Sequence, residues 1–311
     1  TKLKGILLTE GMHGMISQVE GLAKALNINY SHHTVETKGF WKVIPPKFTP
    51  ISDSVFKKIE CEDVDLIISC GRKSIIPSLF LKKNSKKKVF NIHIQNPNIK
   101  LDNFDLVVVP EHDNLDGHNV LKTKGAIHYL TSEEIEKDKE YLFSISSKLR
   151  DKNIISLIIG GPTQYYDYSD RNIQEIFSKV NYLVKENNLN LVVIPSMRTP
   201  KGTIEHAKIY FGNDHLVLDN VDKKAYLSAL SISKHIVVTC DSSSMISEAA
   251  LTGKPIYIAN IPPQKNDKRF KNFRKLFQEM KIIRELGEKL ENWNYEKLDE
   301  TNRIANIIKD K

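Results

Sequence analysis

The chain has 311 residues, 40% of them hydrophobic and 27% charged, with a formal net charge of +8 from 46 basic and 38 acidic side chains. That length suits two domains, each able to enclose its own core, and no apolar run approaches the roughly 18 residues that a membrane-spanning helix needs. The positive balance points to an anionic partner such as phosphates or an anionic membrane face. No nucleic-acid-binding motif accompanies it, so nucleic acid is not expected.

The elements alternate along the chain. Short β-branched runs at Lys4–Thr9, Asn29–Val35, Leu66–Ser69, Val89–Ile94, Leu106–Pro110 and Gly125–Ile127 form a first series of strands. A second series follows at Ile154–Ile159, Asn190–Ile194, Leu216–Leu218, His235–Thr239 and Pro255–Ile258. Continuous apolar runs mark strands buried on both faces, and their alternation with helix-length amphipathic segments predicts parallel sheets with right-handed crossovers. Ile16–Leu26 sets Ile16, Val19, Leu22, Ala23 and Leu26 on one helical face, and Ser243–Leu251 is a helix capped by Asp241 or Ser242 and closed by Gly253. The opening residues read as a first strand, not as a secretion signal. Thr131–Lys152 is the most polar stretch, which predicts an N-terminal domain over 1–150 and a C-terminal domain over 151–311, with the helical, charged tail from Asp267 able to pack back on the first. Cys61, Cys70 and Cys240 make no C-x-x-C pair and no metal-spaced cluster, so neither disulfides nor a metal are expected and a reducing, cytoplasmic setting is.

Parallel sheets bind ligands beyond the carboxyl ends of their strands. After the first strand comes Gly11-Met12-His13-Gly14, with Gln18 a turn later; the glycines admit close backbone approach and His13 is a candidate base. After the third comes Gly71-Arg72-Lys73-Ser74, a candidate anion site. After the fifth, Glu111, His112 and Asp113 form acid–base equipment. In the second half, Gly160, Gly161 and Pro162 end one strand, Ser196 and Arg198 follow the next, and Asp241, Ser242, Ser243 and Ser244 open a helix that carries Glu248. Small hydroxyl residues at a helix start and the backbone amides of Gly160-Gly161 suit an anion such as a diphosphate, Arg198 suits its charge, and Glu248 suits the hydroxyls of a ribose. Each of these turns also fits a plain strand–helix connection with its caps.

The run from Asp219 to Leu230, then His235–Thr239, Asp241–Ser244, Glu248-Ala249-Ala250 and Gly253-Lys254-Pro255, resembles the nucleotide-sugar site of GT-B glycosyltransferases. Across residues 5 to about 307 the chain also resembles the ELM1-like family, named for a plant mitochondrial fission factor. The resemblance lies in Glu10-Gly11 with Gly14 and Gln18, Cys70-Gly71-Arg72-Lys73-Ser74, Ile94-Gln95-Asn96-Pro97, Asp105–Asp113, Gly160-Gly161-Pro162, Ser196 with Arg198-Thr199-Pro200, and the Asp241–Pro255 block. It implies an α/β fold of two Rossmann-like domains with parallel sheets facing across a cleft, GT-B-like. One place departs: the family's first loop carries a histidine after the second glycine, where this chain has Met15, and His13 stands before Gly14.

The function implied is a metal-independent glycosyltransferase using a nucleotide-sugar donor, UDP-linked, and no other cofactor. Its acceptor would be lipid-linked or part of the cell envelope. His13, Glu111, His112 and Asp113 are the catalytic candidates. Alternatives are a non-catalytic adaptor on the same scaffold and a nucleotide-sugar 2-epimerase. Phe270, Phe273 and Phe277 recur at helical spacing among lysines and arginines. They form either a core-facing stripe or a helix lying on an anionic membrane, the latter placing the protein at the inner face of the cytoplasmic membrane.

Overall fold

The structure is a computed structural model that describes residues 1–311. It divides into two compact units, Thr1–Tyr129 with Asp299–Lys311, and Leu130–Leu298. The division falls at residue 130, not near 150, because the polar stretch that reads as a linker belongs to the second unit: Leu142 N donates to Ser228 Oγ at 3.1 Å, and Ser228 Oγ donates to the Lys139 carbonyl at 2.8 Å.

In the first unit the chain runs β1 (Lys4–Thr9), α1 (His13–Ala25), β2 (Asn29–Thr34), β3 (Leu66–Cys70), α2 (Ile75–Lys83), β4 (Phe90–Ile94), β5 (Leu106–Pro110) and β6 (Val120–Thr123). The sheet order is β2-β1-β3-β4-β5-β6 and every pairing is parallel. Strands such as Leu66-Ile67-Ile68-Ser69-Cys70 are buried throughout because alternate side chains feed opposite cores. Leu7, Ile68, Ile92 and Val108 pack with Val19 and Leu22 on one face, while Ile6, Leu8 and Ile67 pack with Val35 and Val89 on the other. The last strand is Val120–Thr123 where Gly125–Ile127 was expected. Gly125 has φ +99, and a left-handed glycine breaks the extended run.

The second unit contains α3 (Ser132–Lys137), α4 (Tyr141–Ile145), β7 (Ile154–Ile159), α5 (Asp170–Glu186), β8 (Asn190–Pro195), α6 (Lys201–Phe211), β9 (Leu216–Val217), α7 (Lys223–Ile232), β10 (His235–Thr239), α8 (Ser243–Ala249), β11 (Ile256–Ala259), α9 (Lys268–Glu279) and β12 (Ile283–Glu285). Its sheet order, β12-β11-β10-β7-β8-β9, is again wholly parallel. The chain then returns to the first unit as α10 (Glu300–Lys309), whose Ile304, Ala305 and Ile308 enter the cluster around Val19 and Leu22. Thr301 Oγ1 donates to the His128 carbonyl at 2.9 Å, and the Glu300 carboxylate accepts from Lys124 N at 2.9 Å and from Arg303. Gly21 allows this: a Cβ there would fall on the His128 backbone.

Of the two readings of the α9 stripe, the structure takes the core-facing one. Phe273 and Phe277 are buried and stack on each other at 4.5 Å, and Phe270 packs edge-on against Tyr165. The aromatic stripe is a core face because the α9 side chains close over the second sheet.

Candidate functional site

In each sheet the strand order reverses once, between β1 and β3 and between β7 and β10. Connections diverge there to opposite faces and leave a crevice beyond the strand ends.

At the second reversal, Ile159 leads into Gly160-Gly161 and Thr239 leads into Cys240–Ser242. Asp241, a fully buried side chain, joins them. Its Oδ2 accepts from Gly161 N at 3.1 Å and from Arg198 Nη2 at 3.0 Å, and its Oδ1 accepts from the Tyr168 hydroxyl at 2.5 Å. The same hydroxyl lies 3.0 Å from Thr239 Oγ1, which also accepts from Gly160 N at 2.8 Å. Burial first, then the Asp241 charge, push the Tyr168 phenol far above its ordinary range, so it remains a donor. Arg198 Nη1 donates to the Gly161 carbonyl at 3.1 Å, and Thr199 Oγ1 donates to the Gly160 carbonyl at 2.7 Å and accepts from Ser196 N at 2.8 Å. The loop after β8 is thereby laced to the loop after β7.

This geometry revises the part expected of Gly160 and Gly161. Their N–H groups already donate within the chain. They are glycine because a Cβ on Gly160 would fall on the Asp241 carboxylate, and one on Gly161 on the Arg198 carbonyl. What faces outward is Arg198, with its side chain 47% exposed and its guanidinium held at two points. Pro162 is exposed beside it.

Ser242 is buried and caps α8, its Oγ accepting from Met245 N at 3.4 Å. Ser243 and Ser244 open the helix, partly covered and exposed respectively, ahead of its first i→i−4 bond. Four residues after Ser244, on the same face, stands Glu248. Its carboxylate accepts from the Tyr226 hydroxyl at 2.7 Å. Burial pushes it up to about 7, against the lowering effects of Tyr226 and Lys223, which favours its neutral form. A carboxyl in that state both accepts and donates hydrogen bonds.

The first reversal is more open. Gly71 has φ +97, and a Cβ there would overlap the Glu10 carboxylate and the Met15 thioether. Lys73 N approaches Glu10 Oε2 at 3.5 Å, and Ser74 Oγ donates to the Gly71 carbonyl at 2.6 Å. Arg72 turns away to the Lys42 carbonyl at 2.9 Å. Gly11, at φ +88, donates to Thr9 Oγ1 at 3.1 Å, and Thr9 Oγ1 lies 2.7 Å from His32 Nε2. His13 is exposed at the first turn of α1 with its ring edge-on to Tyr129, Gly14 has open space around it, and Gln18 Nε2 donates to the Gly14 carbonyl at 3.3 Å. Glu111, His112 and Asp113 sit in a 3-10 turn at the end of β5, two strands from β3 and so about 10 Å away. His112 Nε2 is 3.8 Å from Asp113 Oδ1, and both side chains are largely covered. The sheet order thus brings together Gly11, His13, Gly14 and Gly71, and sets Glu111–Asp113 apart.

Sequence reasoning missed Tyr168, and held Tyr226 only within the Asp219–Leu230 run, without a role. Both are anchors for the charged groups it did select. The signal was the run Tyr165-Tyr166-Asp167-Tyr168 close after Gly160-Gly161, whose second tyrosine donates to Asp267 at 2.7 Å and receives Arg274 at 3.0 Å. Lys254 also matters: its ammonium bonds the Leu230 and Ser231 carbonyls at the end of α7, and burial brings it down to about 8.

Two parallel six-stranded domains of this kind give a GT-B-like fold. Solved structures agree: a Staphylococcus aureus MnaA–UDP co-structure (TM-score 0.54, 16% identity, 99% of this chain and 96% of that one) and Neisseria meningitidis UDP-GlcNAc 2-epimerase bound to UDP-GlcNAc (TM-score 0.55, 12%, 99% of each) share the fold. So does Acinetobacter baumannii MurG (TM-score 0.50, 12%, 99% and 91%). The chain belongs to the Mitochondrial fission ELM1 family, whose model matches residues 13–311. Among curated relatives, an uncharacterised protein of Rickettsia prowazekii is 26% identical over 79% of each chain. The mitochondrial fission protein ELM1 of Arabidopsis thaliana is 25% identical over 78% of this chain, which spans 63% of the plant protein. No helix is long and apolar enough to cross a membrane.

Proposed function

We propose that the chain binds a nucleotide-sugar, UDP-linked, at the β7–β10 reversal and transfers the sugar to an acceptor. What supports this reading is Arg198, pinned by Asp241 and Gly161, together with Glu248, raised by burial and anchored by Tyr226 on the helix that Ser242 caps. In this reading Glu248 holds the ribose hydroxyls, and Ser243, Ser244 and Arg198 meet the diphosphate. The acceptor oxygen attacks the anomeric carbon, the bond from that carbon to the diphosphate oxygen breaks, and the diphosphate leaves with the electron pair. Fixed donors aimed at that developing charge supply the stabilisation without reorganising. The acceptor oxygen gives up its proton to a general base as it attacks. His13 suits this better than the largely covered His112 and Asp113, because it is exposed at a helix start. The acceptor class proposed is lipid-linked or cell-envelope material.

A second reading, a non-catalytic binding protein on the same scaffold, is favoured by the internal use of the Gly160 and Gly161 amides and by the family's name. One experiment separates them. UDP at about 100 times its Kd should stabilise the protein by about 2.7 kcal/mol in a thermal melt, and UDP-GlcNAc should release UDP only when membrane extract is added. Epimer formation from UDP-GlcNAc alone would mark a 2-epimerase, binding with no turnover the adaptor, and no thermal shift with any nucleotide diphosphate would sink the site itself.

A further inference from the structure

Between β2 and β3, residues 38–52 carry Lys38, Lys42 and Lys47 and no acidic residue. In the same stretch Phe40 is 65% exposed, Val43 74% and Phe48 68%. Side chains of this size standing this far into solvent in one segment mark an interaction surface.

The segment is held firmly from beneath. Trp41 packs on Val55, Phe56 and Ile76. Lys38 N donates to the Val55 carbonyl at 2.7 Å, and Arg72 Nη2 donates to the Lys42 carbonyl at 2.9 Å. Two 3-10 turns, Gly39–Lys42 and Pro46–Phe48, shape it, and the prolines Pro45 and Pro46 stiffen the link between them. The exposed rings and Val43 are therefore presented by a fixed backbone, so little order has to be imposed when they are covered. Lys47 Nζ sits 4.8 Å from the Phe48 ring centroid, and Lys42, Arg72 and Lys73 line one crevice behind the segment.

We propose that residues 38–51 form a membrane-surface anchor. Phe40, Val43 and Phe48 enter the headgroup–acyl boundary of an anionic bilayer, and Lys38, Lys42 and Lys47 meet the lipid phosphates. Charge complementarity selects this occupant. Lysines are depleted in protein–protein interfaces, whereas apolar tips interleaved with lysines and free of acidic residues match an interfacial anchor on anionic lipid. The surface lies within the N-terminal domain and is independent of the nucleotide-sugar reading.

The test is flotation of the full chain, without nucleotide, on phosphatidylcholine vesicles and on vesicles with about 30% phosphatidylglycerol. The chain should float with the anionic vesicles at about 0.1 M salt and come off at about 0.5 M. Phe40→Ser with Phe48→Ser should weaken that binding about ten-fold or more, as should Lys38→Glu with Lys42→Glu and Lys47→Glu, with thermal melts unchanged because these side chains are solvent-facing. Lys271→Glu with Lys275→Glu on α9 should leave it within about two-fold. The proposal is overturned if the wild type floats with neither vesicle, if both 38–51 variants float like the wild type, or if only the α9 variant loses binding. It is equally overturned if the segment mediates self-association, seen as a larger species by light scattering that the Phe40→Ser, Phe48→Ser variant abolishes, in place of vesicle binding.

Discussion

The two strand-order reversals are built alike and finished differently. At β7–β10 a buried aspartate draws two backbone amides, a tyrosine and an arginine into one network, so the outward groups are set before any ligand arrives. At β1–β3 the loops are held by separate short bonds, Lys73 N to Glu10, Ser74 to the Gly71 carbonyl and Gly11 N to Thr9, with no buried charge joining them; Arg72 is occupied with the 38–52 segment, and His13 and Gly14 stand in solvent. The contrast teaches that preorganisation in this protein is concentrated on the C-terminal side, where a charged ligand would otherwise have to pay for ordering its own contacts.

The largest effect should follow from Asp241→Ala, which strips Tyr168, Gly161 N and Arg198 of their acceptor at once. The expected loss is about 4 kcal/mol of unfolding free energy in urea titration, and a loss under about 1 would mean the network is incidental. Next is Glu248→Gln. With the carboxyl raised from 4.5 to about 7, the unfolded chain binds fewer protons than the native one between those values, so stability falls as pH rises through that window and levels off above it. The amide should abolish that slope and raise stability at pH 8 by up to about 3 kcal/mol; an unchanged pH profile would show the carboxyl to be ordinary. Third, Gly161→Ala should cost about 2 kcal/mol through overlap with the Arg198 carbonyl, while Gly14→Ala, with nothing near its Cβ, should change stability by less than about 0.5. Equal costs would erase the contrast between the loops. Smallest in stability is Arg198→Ala, about 1 kcal/mol, because Arg198 is itself half-exposed and the buried Asp241 carboxylate keeps the Gly161 amide and the Tyr168 hydroxyl as donors. Its main readout is UDP affinity, expected to fall about ten-fold by calorimetry.

Much of this was legible in one dimension. Buried strands such as Leu66–Cys70 and Ile154–Ile159 announce themselves because a parallel sheet covered on both faces needs uninterrupted apolar runs. Strand–helix alternation then dictates where ligand loops fall. The resemblance carried by Asp241–Pro255 and by Cys70–Ser74 named the right family. The periodicity of α9 was legible as a stripe, but not its destination, since Phe273 and Phe277 suit a core and a lipid surface equally until the sheet beneath them is known.

The local chemistry of the chain, its hydrophobic period and its glycine and hydroxyl turns, determined the two α/β halves and the loops worth watching, because those features depend on neighbours within a few residues. The tertiary structure alone decided that the polar stretch before residue 150 belongs to the second unit and that, of the tail expected to pack back, only the part after Leu298 returns to the first. It also decided that Gly160 and Gly161 serve Asp241 and Arg198, and that Tyr168 and Tyr226 hold the charged groups. Those outcomes rest on contacts between residues dozens of positions apart, where close packing and the need to satisfy a buried charge, not sequence spacing, choose the partner.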